Sequence, residues 1–157
     1  MKITLLVVGK TNEKYFNDAI NEYIGRLKHY ISFEIIVIQD IKNVKNMTIE
    51  QQKDKEGEEI YKHVNTNDYV ILLDECGKEY SSVKFADYIE KKMIAGSRRI
   101  IFVIGGSYGF SQKVYDLAND KVSLSKMTFS HQMVRLIFVE QLYRAMTILK
   151  GQPYHHE

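Results

Sequence analysis

The sequence ITLLVVG, at residues 3–9, decides the fold class of this chain. Six consecutive β-branched or leucine residues that end at Gly9 are typical of a strand buried on both faces, and such strands belong to parallel sheets. From Asn12 the apolar residues recur at steps of three and four, which predicts a helix with one apolar face and Asn12 as its N-cap. The chain therefore begins with a βα unit.

The same alternation continues along the chain. Further strands are predicted at 33–38, 69–73, 100–104 and, more weakly, 121–125. Helical patterns follow them, namely 48–64 with a capping box at its start, 82–96 with Ser82 as cap, 111–118, and 131–150. A turn is expected around Gly77. Five βα repeats favour an α/β fold in which residues 1–157 form a single domain with a mostly parallel sheet.

Composition limits the classes of function. The 157 residues suit one domain, and 45% hydrophobic with 27% charged residues are values of an ordinary globule. Lys and Arg number 22 against 20 Asp and Glu, a net charge of +2. A histone-like electrostatic grip on nucleic acid is therefore excluded, whereas a local basic surface is not.

The cysteine and histidine content argues against disulfides and metal. Cys76 is the single cysteine, which excludes an internal disulfide or a multi-cysteine zinc site and predicts a reducing, cytoplasmic location. No signal peptide or membrane span is recognised. His155, His156 and Glu157 are adjacent in a tail, where neighbouring side chains diverge, so no metal site is expected.

The last predicted helix is apolar on more than one face. The residues concerned are Met133, Val134, Leu136, Ile137, Phe138, Val139, Leu142, Tyr143, Met146, Ile148 and Leu149. Two interpretations follow: a helix central to the core, or a helix whose second side forms a homodimer interface. The small size of the domain favours the homodimer. The polar residues Arg135, Glu140, Gln141 and Arg144 then require partners.

A glycine-rich segment, GGSYG at 105–109, follows a buried strand and precedes a helix. Open α/β sheets bind ligands at this position, and glycines allow a close approach to the backbone. The segment has neither the spacing of a dinucleotide-binding loop nor the Gly-Lys-Ser/Thr of a P-loop. By itself, it is equally typical of a tight turn.

A specific combination of residues runs through the whole chain: MKIT at 1–4 with Val8-Gly9, DKEG at 54–57, IGGSYG at 104–109, LSKMTF at 124–129 with His131-Gln132, EQLYRA at 140–145 and PYH at 153–155. In this combination the chain closely resembles the ribosomal RNA large subunit methyltransferase H family of the SPOUT superfamily. The resemblance implies an α/β fold with a C-terminal trefoil knot, a homodimer, and S-adenosylmethionine as cofactor.

The resemblance also implies a reaction, the methylation of N3 of a pseudouridine in helix 69 of large-subunit rRNA in the assembled ribosome. Carried over to this chain, the cofactor-binding positions are Leu73, Gly105, Leu124, Ser125, Lys126, Met127, Thr128 and Phe129. They follow the carboxyl ends of predicted strands, so we expect them to form one pocket.

Tyr154, His155 and Arg144 are the candidates for holding the base or for easing the imide proton away from N3, and their division of roles stays open. Residues 152–157 are predicted to leave the last helix after Gly151 as a short extended arm. With the resemblance this arm is expected to be functional and within reach of the partner subunit's cofactor. A frayed terminus is the alternative.

Two positions depart from the pattern of the family. Ser130 stands where proline is common, and His156 stands where a basic residue is common. Two alternative functions are a SPOUT methyltransferase with another RNA target and a non-catalytic ribosome-binding module that keeps the fold. Cofactor titration separates the binding module from the enzymes.

Overall fold

Strands and helices alternate along residues 1–156, the part of the chain that the computed structural model describes. The strands are β1 (Lys2–Val8), β2 (Ser32–Ile38), β3 (Tyr69–Glu79), β4 (Arg99–Ile104) and β5 (Asp120–Ser123). The α-helices are α1 (Lys14–Leu27), α2 (Ile49–Lys62), α3 (Ser82–Ile94), α4 (Gln112–Leu117) and α5 (His131–Leu149), and a 3-10 turn at Val44–Asn46 precedes α2. The expected five βα units are confirmed.

The strands form one sheet in the order β2-β1-β4-β3-β5, and all the pairings between these strands are parallel. β1 lies between two neighbours, so that Leu5 pairs with Ile35 of β2 and with Phe102 of β4. Leu5 and Leu6 are completely buried. The interpretation of residues 3–9 as a strand covered on both faces is confirmed.

Helices cover both faces of the sheet. Residues Ile3, Leu5 and Val7 of β1 contribute to the core on the side of α1, α3 and α5, whereas Leu6 belongs to the core on the side of α2 and α4. Burying one such side chain stabilises the fold by roughly 1.5–3 kcal/mol. The protein is thus a three-layer α/β/α structure.

Helix α5 packs between α1 and α3 on the first face. Its inner side is buried, and the ring of Phe138 lies 4.7 Å from that of Phe102, measured between centroids. Arg135 is 1% exposed, and its guanidinium donates to the Val8 carbonyl oxygen at 2.8 Å and to Thr11 Oγ1 at 2.9 Å. The inner side of this helix therefore belongs to the core, and a homodimer interface on its other side stays a prediction.

The helix boundaries show which capping predictions hold. The capping box of Thr48 and Gln51 is confirmed, and Ser111, where the helix 111–118 was predicted to begin, is the N-cap of α4. The predicted caps Asn12 and Ser82 are each wrong by one residue. Glu13 occupies the N-cap of α1 with no side-chain bond, and its N–H donates to Gln132 Oε1 of α5 at 2.9 Å. Ser81, one residue before the predicted cap, is the N-cap of α3, because its hydroxyl accepts from the Lys84 N–H at 3.2 Å.

The turn predicted around Gly77 is wrong, since β3 continues to Glu79. The register with β5 shifts between Leu73 and Lys78, a bulge that accommodates the polar residues in between. A Cβ at Gly77 would lie 2.7 Å from backbone atoms of Lys121 and Val122. Glycine is therefore needed here for the close approach of two strands.

We expect Gly77→Ala to lower the free energy of unfolding by about 1–3 kcal/mol, because the added methyl group meets backbone atoms that cannot rotate away. Urea denaturation followed by circular dichroism measures this change. Gly25→Ala in α1 is the matched control, since a Cβ there has no neighbour within 4 Å. That control should be stabilised by about 0.5–1 kcal/mol. Equal stability of Gly77→Ala and the wild type would contradict the close approach.

Candidate functional site

A cavity of about 570 Å³ opens at the carboxyl ends of β4 and β5 and beside the bulge of β3, which lies between them in the sheet. Its volume lies in the range of sites for small molecules and cofactors. Three separate segments contribute most of its lining: residues 73–76 within β3, residues 104–110 after β4, and residues 124–129 after β5. Tyr115, His131 and Val134 complete it.

Seven of the eight positions expected to bind the cofactor line this cavity: Leu73, Gly105, Leu124, Ser125, Met127, Thr128 and Phe129. Lys126 does not. Its side chain is 83% exposed and its Nζ lies 3.8 Å from Glu79 Oε1, away from the cavity. The structure thus brings together positions that are about 50 residues apart in sequence.

Hydrogen bonds between residues close in sequence shape the loop between β5 and α5. Ser123 Oγ donates to the Ser125 carbonyl oxygen at 3.0 Å, and Ser125 Oγ accepts from the Met127 N–H at 3.0 Å. Ser130 is the N-cap of α5, where its hydroxyl accepts from the Met133 N–H at 3.3 Å. A capping serine therefore fixes the end of this loop where the family pattern has proline.

The glycine-rich segment is both a tight turn and a wall of the cavity. The Gly109 N–H donates to the Gly106 carbonyl oxygen at 3.1 Å, and Gly109 has a φ of +81°, which glycine adopts without strain. A Cβ at Gly105 would lie 3.0 Å from the ring of Phe110, which is itself buried and lines the cavity. The absence of a side chain at Gly105 thus leaves room for Phe110 to pack against the glycine-rich segment.

Residues that the sequence analysis had not selected form the acidic side of the cavity. Asp74 accepts a short hydrogen bond from the Tyr115 hydroxyl and a second one, of 2.9 Å, from the Cys76 N–H. Burial, followed by this bond to Asp74, raises the pKa of Tyr115 above its ordinary value. Cys76 is exposed at the rim, with no histidine in hydrogen-bonding contact.

The three candidates for substrate handling form a separate cluster. Arg144 donates from Nε and Nη2 to Glu140 Oε1 at 3.0 and 2.6 Å, and its Nη1 lies 3.1 Å from His155 Nδ1. The Tyr154 hydroxyl donates to the same Glu140 oxygen at 3.1 Å and lies 3.3 Å from the Tyr23 hydroxyl. Glu140, which sequence reasoning left without a role, is the common acceptor. None of Arg144, Tyr154 and His155 lines the cavity.

The tail leaves α5 as predicted but does not extend. Gly151 has a φ of +67°, its N–H donates to the Ile148 carbonyl oxygen, and the Gln152 N–H donates to that of Thr147, a Schellman motif. The chain then folds back, and the ring of Tyr154 packs edge-on against Tyr143 at 4.7 Å. The prediction that the arm is extended is therefore wrong, because aromatic packing holds the tail against α5. Glu157 lies outside the described residues.

Burial and hydrogen bonds change the acidity of Tyr154. Burial, the contact with Tyr23 and the charge of Glu140 all raise the pKa of its hydroxyl above the ordinary value. The hydroxyl therefore stays protonated at neutral pH and acts as a hydrogen-bond donor. Within residues 1–156, no group of three or more His, Cys, Asp or Glu side chains could hold a metal ion.

Comparison with known proteins identifies the class. A family model described as "Predicted SPOUT methyltransferase" matches residues 1–155, and the chain belongs to this family. Relatives named ribosomal RNA large subunit methyltransferase H are 62% identical in Parabacteroides distasonis and in Bacteroides fragilis, each over 100% of both chains. A relative of the same name in Christiangramia forsetii is 58% identical over 99% of both chains. The resemblance found in the sequence is confirmed.

No helix among residues 1–156 combines the length and the hydrophobicity required to cross a membrane.

We expect Gly105→Val to weaken the binding of S-adenosylmethionine, the methyl donor expected from the sequence. The larger side chain must displace Phe110 from the cavity wall, and overpacking of this kind costs about 1–3 kcal/mol, or roughly five- to 150-fold in affinity if the cavity absorbs the displacement. Titration calorimetry measures the affinity. Gly105→Ala should give a smaller loss, and Gly25→Ala should leave affinity unchanged. A folded Gly105→Val protein with wild-type affinity would show that the cofactor binds elsewhere.

Proposed function

We propose that this protein is an S-adenosylmethionine-dependent methyltransferase that acts on N3 of a pseudouridine in helix 69 of large-subunit rRNA. The proposal rests on one observation: seven of the positions expected to bind the cofactor, from three separate segments, line the same cavity. The names of relatives 57–62% identical over nearly their full length support an rRNA substrate. Action on ribosomes implies a cytoplasmic location. The C-terminal trefoil knot stays a prediction from the family.

The chemistry of the cavity fits such a cofactor. Leu73, Leu124 and Phe129 supply apolar surface for an adenine ring, and the backbone groups of the two loops supply hydrogen-bonding partners for its edge and for the polar substituents. The cofactor, when bound, supplies an electrophilic methyl group. The protein has to orient this group, exclude water and present the base to it.

The geometry of His155 supports a role as hydrogen-bond donor. Arg144 can only donate, so His155 Nδ1, 3.1 Å from Arg144 Nη1, acts as acceptor. In the neutral tautomer the proton then lies on Nε2. An Nε2–H group directed at a carbonyl oxygen of the base would stabilise the anion left when the N3 proton passes to water, whereas the single O–H of Tyr154 is already donated to Glu140.

The proposed active form is a homodimer whose site combines two subunits. The loop that lines the cavity precedes α5, whereas Tyr154 and His155 follow it, and a helix of 19 residues is about 28 Å long. The outer face of α5 carries Ile137, half-buried, and Met133, 39% exposed. Covering this apolar face with a second copy would let the tail of one subunit approach the cavity of its partner.

Two other functions make different predictions. A methyltransferase for another RNA would bind S-adenosylmethionine but leave helix 69 unmodified. A ribosome-binding module would bind ribosomes without methyl transfer. The cavity with its closely packed glycine wall favours an enzyme over a module that has no need of a cofactor.

The first experiment measures methyl transfer from labelled S-adenosylmethionine to intact ribosomes, free rRNA and a short helix 69 hairpin. We expect transfer mainly to intact ribosomes, because a chain of net charge +2 has little electrostatic affinity for RNA alone. Deletion of residues 153–157 should reduce transfer roughly tenfold or more, about 1.4 kcal/mol or more, with little change in cofactor affinity. Glu58→Ala, at an exposed position of α2 outside the tail, is the control. Equal transfer to all three substrates, or a fully active deletion protein, would contradict the proposal.

The second experiment tests whether the site combines two subunits. Sedimentation should give twice the 18.4 kDa of one chain. Mixed dimers pair a Gly105→Val subunit, which has a defective cavity, with a subunit lacking residues 153–157. If tail and cavity meet across the interface, each homodimer is weakly active, whereas the mixed dimer has one intact site and about half of the wild-type activity. A mixed dimer no more active than the two homodimers would show that each subunit uses its own tail.

A further inference from the structure

Glu56 of α2 is a buried acidic residue beneath the glycine wall of the cavity. It is 6% exposed, although glutamate is almost never buried without a partner. A Cβ built on Gly106 would lie 2.5 Å from Glu56 Oε1 and 2.7 Å from Oε2. The carboxylate therefore occupies the space directly behind the backbone of Gly106, on the side away from the cavity.

Hydrogen-bond donors lie beside this carboxylate. The backbone N–H of Gly106 is directed towards it. Burial raises the pKa of the Glu56 carboxyl group by more than this N–H lowers it. Gln52, one helical turn earlier, donates from Nε2 to Oε2 at 3.4 Å. Within residues 1–156, no lysine or arginine forms an ion pair with Glu56. Burial outweighs these contacts, since the pKa of the Glu56 carboxyl group is raised, and the carboxylate lies directly against the backbone of the loop.

The neighbouring residue shows that α2 packs closely against the end of this loop. Gly57 is buried, and a Cβ there would lie 2.8 Å from Ser111 Oγ and 3.1 Å from Val114 Cγ2. Helix α2 therefore packs directly on the start of α4, at the end of the glycine-rich segment. Glu56 and Gly57 together fix this segment at two points.

The opposite side of the segment forms the cavity. Gly105, Gly106 and Ser107 all line it, and Ser107 Oγ lies 3.4 Å from His131 Nε2 at the start of α5. Residues 104–109 therefore have the cavity on one side and Glu56 on the other. A shift of the Gly106 peptide would change the cavity wall directly.

We propose that Glu56 is a positioning residue for the methyl-donor site: its carboxylate accepts the Gly106 N–H and so holds the glycine wall in the conformation that receives the cofactor. The inference rests on the proposed function and adds a residue outside the cavity to it. Glu56 touches neither cofactor nor substrate. Its action passes through the backbone of Gly106.

The test compares two variants that differ in their ability to accept this hydrogen bond. Glu56→Gln keeps an oxygen at the same distance from the backbone, whereas Glu56→Leu has a similar volume and no acceptor. We expect Glu56→Leu to weaken S-adenosylmethionine binding roughly tenfold or more, the effect of an unsatisfied buried N–H. The KM for ribosomes should stay unchanged, and Glu56→Gln should restore cofactor binding to within about threefold of the wild type. Glu58→Leu, at an exposed position of the same helix, is the control.

Hydrogen exchange of a peptide covering residues 104–110 gives a readout that needs no cofactor. Exchange should be faster in Glu56→Leu and near normal in Glu56→Gln, with global unfolding in urea measured in parallel. If Glu56→Leu does not fold, Glu56→Asp, which withdraws the carboxylate by one methylene, should show the same two effects. A folded Glu56→Leu protein with wild-type affinity and exchange overturns the proposal, as does an equal defect in Glu56→Gln. A wild type that binds no S-adenosylmethionine would overturn the proposed function, whereas the exchange result would still decide the role of Glu56.

Discussion

Packing of α5 between α1 and α3 is the contact on which both ends of the site depend. The inner side of this helix, with Phe138 and Met146, completes the core over the sheet. Because its position is fixed, the capping serine Ser130 fixes the end of the cavity loop at one terminus, and Gly151 directs the tail at the other. The outer face remains available for a partner. One helix therefore couples the cavity, the tail and the proposed dimer.

Buried charge accompanies this packing. Arg135 lies within the core at the carboxyl end of β1, where it donates to a backbone carbonyl and a hydroxyl, and its Nε has no partner among residues 1–156. Burial lowers the pKa of this guanidinium. Glu56 is the counterpart on the opposite face of the sheet, where burial raises the pKa of the carboxyl group. Arg135 contacts the end of β1 and the segment after it, and Glu56 contacts the segment after β4. Both buried charged groups therefore lie at the edge of the sheet that carries the cavity.

The sequence predicted elements whose signal is local. Periodicity identified every strand and helix, and the capping box at Thr48 was visible from spacing alone. The continuation of β3 through Gly77 could not be predicted from local spacing, because it depends on pairing with β5, about 45 residues later. The shift from Asn12 to Glu13 has a similar origin, since Gln132 from α5 satisfies the first N–H. Long-range contacts decided these boundaries.

The candidate site was predicted unevenly for a related reason. The family resemblance supplied seven positions that line the cavity, but motif spacing alone did not distinguish Lys126, which points to Glu79. Glu140 was seen only as a polar residue in need of a partner, although three hydrogen bonds from Arg144 and Tyr154 converge on it. The folding back of the tail depends on Tyr23 and Tyr143, residues more than 130 and about 10 positions away.

The strand order also has a consequence for synthesis on the ribosome. β1 pairs with β4, which begins at Arg99, so the centre of the sheet cannot form until the chain has been synthesised through β4. The face that α1 and α3 cover is complete only when α5, which ends at Leu149, has been made. The hydrophobic core on this face can therefore close only after almost all of the described residues have been synthesised. Nascent chains that lack α5 expose apolar surface, so they should depend on chaperones that shield apolar segments.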